Sequence, residues 1–149
     1  MTPPEMATEI AARSLAAAQS LGLRSAHYPA PGNLPALPTL VVSWMSFETT
    51  QGMGEQYRTD RFRGRIFTAN ADSSGNPIAV EGQISEVDDL VLPIVDAFDA
   101  TAHRANFTID NQVDGCTCDT GELNKGIPYA GQTYYGGELF WTVQSRHFA

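Results

Sequence analysis

Between Tyr57 and Thr68 the chain alternates charge and bulk with a period of two: Arg61, Arg63 and Arg65 interleave with Asp60, Phe62, Gly64 and Ile66. A period of two belongs to an extended strand, on which neighbouring side chains point to opposite faces. The segment therefore predicts a two-faced strand, with Arg61, Arg63 and Arg65 on one side and Asp60, Phe62, Gly64, Ile66 and Thr68 on the other. Together with Arg58 it holds four of the nine basic residues of a chain whose formal net charge is −8. Three like charges in a row repel one another unless something acidic faces them. Clustered guanidinium groups pair bidentately with carboxylates or phosphates, so Arg58, Arg61, Arg63 and Arg65 are expected to form a docking surface for an acidic protein partner, another copy of the chain included. The alternative is a solvated edge strand, charged to discourage stray pairing. Nucleic acid is disfavoured: a DNA binder shows a broad basic excess, and the only lysine here is Lys125.

A chain of 149 residues makes one domain, residues 1–149, long enough to bury a core without metal or disulfide support. With 42% hydrophobic and 17% charged residues it has the composition of an ordinary globular protein, and a pI near 4.6 argues against a membrane surface or a free polyanion as partner. No apolar run approaches the roughly 18 residues of a spanning helix. Met1-Thr2-Pro3-Pro4-Glu5 has neither the basic start nor the apolar stretch of a secretory signal, so synthesis inside the cell is expected. Cys116 and Cys118 are poorly placed to bridge each other on a strand and are expected to be reduced thiols. A C-x-C pair takes a soft metal, but zinc wants four ligands, and neither a second pair nor histidines at metal spacing accompany it.

Along the chain, Ile10 to Leu23 is alanine-rich with a modest apolar stripe and predicts a helix opened by Thr8-Glu9 and ending near Gly22. Tyr28 to Pro38, with four prolines in eleven positions, predicts a stiff, irregular connector. It leads into Thr39-Leu40-Val41-Val42-Ser43-Trp44, a buried strand by its β-branched content. After a turn at Gln51-Gly52-Met53-Gly54 comes the arginine-striped strand, from about Gln56 to Thr68, closed by turn residues from Asp72 to Pro77. Ser85 and Asp88 form a capping signal for a second helix through Val87, Val91, Ile94, Val95 and Phe98. Its acidic first turn suits the helix dipole, while Pro93 either kinks it or marks a later start. Phe107-Thr108-Ile109 and Tyr134 to Val143 read as strands, with a bulge expected at Gly136-Gly137. Asp114 to Gly131 reads as a long irregular loop, of a length that is commonly functional. The expected fold is α+β: a mainly antiparallel sheet with two helices packed on one face.

Candidate chemistry is sparse. His27, His103 and His147 show no spacing that ties them to Cys116 or to a serine elbow. Asp88, Asp89, Asp96 and Asp99 place carboxylates on one helix, Asp96 and Asp99 on a common face, which suits a solvated surface better than a metal-dependent nuclease. Gly52-Met53-Gly54 and Gly136-Gly137 fit no phosphate cradle, so no cofactor is expected. Tyr57, Phe62 and Phe67 among the arginines suggest a single-strand-binding sheet, but Phe62 and the arginines fall on opposite faces.

The element order over roughly residues 7 to 146 resembles the tail terminator proteins of long-tailed phages, within the head-tail joining group. The residues that carry it are the N-terminal helix, Tyr28-Pro29 and Pro38 leading into Thr39-Leu40-Val41-Val42, a long strand, an acidic-capped helix, and a closing strand pair with Tyr134-Tyr135-Gly136-Gly137 and Leu139-Phe140-Trp141-Thr142-Val143. The resemblance implies a virion protein, assembled in the host cytoplasm and free of catalytic residues. It would form a ring, a hexamer in the family, that caps the tail tube, stops its polymerisation and offers a surface to the head connector. Its partners would be itself, the major tail tube protein and the head-closure protein, and DNA would pass through an acidic lumen without binding. A neck adaptor of the same virion is the nearest alternative; a small nucleic-acid-binding module and a metal-dependent hydrolase come from other classes.

Overall fold

The computed structural model describes residues 2–52, 54–72, 74–78, 86–98 and 113–148. Helix α1 spans Pro3–Ala18 and begins well before the expected Thr8. Thr2 and Glu5 form the reason: the Thr2 hydroxyl accepts from the Glu5 amide at 3.3 Å, and the Glu5 carboxylate accepts from the Thr2 amide at 2.9 Å. This reciprocal cap satisfies donors the helix leaves open, and prolines are tolerated in the first turn, where no intrahelical acceptor waits for an amide. A short 3-10 turn follows, and Gly22 ends it in the left-handed region at φ 114°, as expected.

Strand β1, Ser25–His27, lies parallel to β2, Thr39–Gln51. The turn at Gln51 to Gly54 sends the chain back as β3, Glu55–Asn70. Helix α2 is Glu86–Ala97 and holds Pro93 in its interior instead of in the first turn of a later-starting helix. The Asp114 to Gly131 segment is not a loop: it forms β4, Val113–Thr120, and β5, Lys125–Tyr129, both antiparallel to β6, Gln132–Phe148. Cys116 and Cys118 act there as small apolar residues, buried in alternation with exposed Thr117 and Asp119. The expected strand at Phe107-Thr108-Ile109 and the cap at Ser85 lie outside the described residues.

The sheet runs β1-β2-β3-β6-β4, with β5 beside β6, and is antiparallel except at β1. The fold is thus α+β, its helices on the sheet, as the sequence predicts. The main core joins Met6 and Ile10 of α1 and Leu90 and Ile94 of α2 to Leu40, Phe62, Ile66, Leu139, Trp141 and Val143. A smaller cluster on the opposite face packs Val41, Phe67, Ile127, Tyr129 and Tyr134 under Leu34 and Leu37 of the proline connector. The Tyr129 hydroxyl donates to the Pro31 carbonyl and ties that connector down. The bulge expected at Gly136-Gly137 lies instead on the strand opposite, as a register shift between Phe67 and Ala69 of β3. The extra residue, Thr68, is buried and donates its hydroxyl to the Tyr135 carbonyl at 3.1 Å.

Candidate interface on the arginine face

Strand β3 has the two faces its sequence predicts. Asp60, Phe62, Gly64, Ile66 and Thr68 are all buried, while Arg61 is exposed and Arg63 and Arg65 are half-buried. Because β3 pairs with β2 on one side and β6 on the other, it is a central strand. That removes the edge-guard explanation for its charges, since there is no free edge here to protect.

The four arginines do not form one group. Arg58 lies on the Asp60 side, where its Nε donates to Oδ2 and its Nη2 to Oδ1 of the fully buried Asp60 carboxylate, each at 3.1 Å. Trp44 Nε1 donates to the same carboxylate at 3.1 Å, and the Arg58 guanidinium sits 4.3 Å above the Phe47 ring, which in turn stacks on Trp44. A charge so fully engaged is structural: it holds the hairpin of β2 and β3 where no helix supports it. Arg61 has a loose contact with Glu48 at 3.7 Å, between two exposed side chains, which contributes little.

Arg63 and Arg65 differ from both. Their Nε atoms are buried and have no hydrogen-bond acceptor, and neither side chain has an ion pair among the described residues. Arg65 packs over the Tyr129 and Phe67 rings at 5.1 and 5.9 Å. Burial lowers the Arg65 pKa, and the neighbouring Arg63 charge adds to this, against the pull of Tyr129 and Glu138. The two arginines line a cleft of about 220 Å³ with Lys125 and Glu138. Glu138 stands directly across from Arg65 but pairs with Lys125, which also bonds Glu122 at 2.9 Å. Lys125 is thereby held by two carboxylates, and among the described residues no carboxylate pairs with Arg63 or Arg65.

Glu138 was not singled out in the sequence, and Lys125 stood out there only as the single lysine. Glu138 alternates with Phe140 and Thr142 on the arginine side of β6, a legible signal, but Lys125 arrives through β5, which the sequence did not reveal.

The other candidates disperse. His27 Nε2 hydrogen-bonds Ser25 Oγ at 3.0 Å, and that oxygen bonds Thr39 Oγ1 at 2.8 Å, a network that closes β1 onto β2. Asp88 accepts from Asn124 at 3.3 Å, and Asp89 and Asp96 point to solvent. His103, Asp99 and the His147 side chain lie outside the described residues. Burial pushes the Cys116 thiol up to about 12 and raises Cys118 as well, so both are protonated and ill suited to metal or nucleophilic chemistry. Among the described residues no three His, Cys, Asp or Glu side chains gather to hold a metal, and no helix is long and apolar enough to cross a membrane. Phe62 and Phe67 are fully buried and offer no ring to a nucleic-acid base. A wider depression of about 490 Å³ between Asn70 and Thr133 contains one charged residue, Asp72, whose carboxylate already accepts from the Ser74 and Asn76 amides. Compared with family models and with curated proteins, the chain gives no match to either.

Proposed function

We propose that this chain is a structural subunit of a phage tail, a tail terminator that forms a ring on the end of the tube, stops its growth and offers the surface for head joining. The observation that carries the reading is the pair Arg63 and Arg65, fixed on a central strand with buried, unsatisfied Nε donors in a chain of net charge −8. Such donors are costly to leave unmade and gain from an acidic partner. The described residues form a six-stranded sheet with charged side chains on one face, an arrangement that suits assembly. The element order that resembles tail terminators adds the family. Termination then has a physical meaning: the ring binds the surface that the last tube ring exposes and presents no copy of that surface on its far side.

The test is on tubes. Purified protein added during tube polymerisation should cap ends at substoichiometric amounts, and phage lacking the gene should accumulate overlong, headless tubes in electron micrographs. Tails of normal length, or filled heads without any tubes, would move the assignment away from termination.

A further inference from the structure

The two faces of the sheet differ in their charged groups, and the arginine face carries Glu48 and Glu138 among its cations. On the arginine face stand Arg61, Arg63 and Arg65. On the other lies α2, whose buried side is Val87, Leu90, Val91 and Ile94. Its outward side is Asp88, Asp89, Leu92 and Asp96, all exposed, and the helix contains no basic residue. Asp89, Leu92 and Asp96 fall at helical spacing on one stripe, with Leu92 at 63% exposure between the two carboxylates.

From the ring reading above, on which this rests, we infer that the acidic outer stripe of α2 in one copy docks on the Arg63 and Arg65 cleft of the next. Seven helical residues put Asp89 and Asp96 about 10 Å apart. The row from Arg61 to Arg65 spans about 14 Å on an extended strand. Two carboxylates therefore fall within reach of three long guanidinium side chains, and the chain supplies both halves of the contact. Leu92 would meet the apolar flank of the cleft, where Ile127 and Pro128 line it. Since the two patches lie on opposite sides of one sheet, no molecule satisfies its own pair. A two-fold dimer does not satisfy both at once either. The contact is heterologous: each copy gives its helix to one neighbour and its arginines to the other, and such a chain closes only as a ring.

The test compares wild type with Arg63→Glu/Arg65→Glu, with Asp89→Arg/Asp96→Arg, and with the fourfold variant carrying both changes. Rings, free or on tube ends, are counted by native mass spectrometry and electron microscopy, with circular dichroism as the folding control. Each double variant should need at least about tenfold more protein to form rings. The fourfold variant, its charges exchanged but still complementary, should regain them. Asp89 and Asp96 are fully outward, so their variant folds whatever happens at the half-buried arginines. Normal rings from Asp89→Arg/Asp96→Arg, or a folded fourfold variant that stays apart, would overturn the pairing and leave the ring reading standing. Wild type that neither forms rings nor caps tubes would overturn the ring reading itself.

Discussion

One absent carbon lets Trp141 reach across to β3. A Cβ on Gly64 would stand 2.5 Å from Trp141 Cη2 and 3.1 Å from Leu40 Cδ1, inside contact distance in a core with no room to give. Gly64→Ala is expected to cost about 1–3 kcal/mol, seen as a lower urea midpoint at unchanged m-value. The glycine was legible as a member of the buried face, but its reason was not, because Trp141 lies on β6, distant in sequence. The cysteines make a second prediction. The unfolded thiols titrate near 9.0, while burial holds folded Cys116 at about 12 and raises Cys118 too. Between those values the unfolded chain has released protons that the folded chain keeps, so stability is full below pH 9 and falls as pH rises toward 12. Urea melts from about pH 8 to about pH 11 should show the decline, and Cys116→Ala/Cys118→Ala should flatten it.

At the level of elements, the segments that announced themselves were those with a strong period: the core-facing halves of β2, β3 and β6, and the apolar stripe of α2. What escaped was governed by partners or caps. Helix α1 begins at Pro3 because Thr2 and Glu5 close its first turn. Strands β4 and β5 exist because β6 offers its free side to them, and a run such as Val113-Asp114-Gly115-Cys116-Thr117-Cys118 has little strand character by itself. Pro93 is the reverse case, a residue that argues against its own surroundings. Its missing amide leaves the Asp89 carbonyl without an intrahelical donor, yet burial of Val87, Leu90, Val91 and Ile94 holds the helix through it. Pro93→Ala should therefore stabilise the protein by up to about 3 kcal/mol, measured as a rise in Tm.

For the molecule as a whole, the arginine face was legible because alternation survives without a structure, whereas the acidic face of α2 opposite it is a matter of topology. No spacing in the sequence says that α2 and the arginines end on different sides of one sheet. The same topology leaves part of the sheet uncovered: from Trp44 to Gln51 every residue of β2 is exposed, and β1 reaches only Val41. Strand β3 thus passes from a packed core around Phe62 and Ile66 to a ribbon held by hydrogen bonds and the Asp60 cluster. One strand then has two opening energies. Amide hydrogen exchange should run orders of magnitude faster at Tyr57 and Arg58 than at Phe62 to Phe67, and equal protection along β3 would show that the ribbon and the core open together. Where the difference holds, the hairpin end is a surface that reshapes itself against a neighbour at little cost, while the body that carries it stays closed.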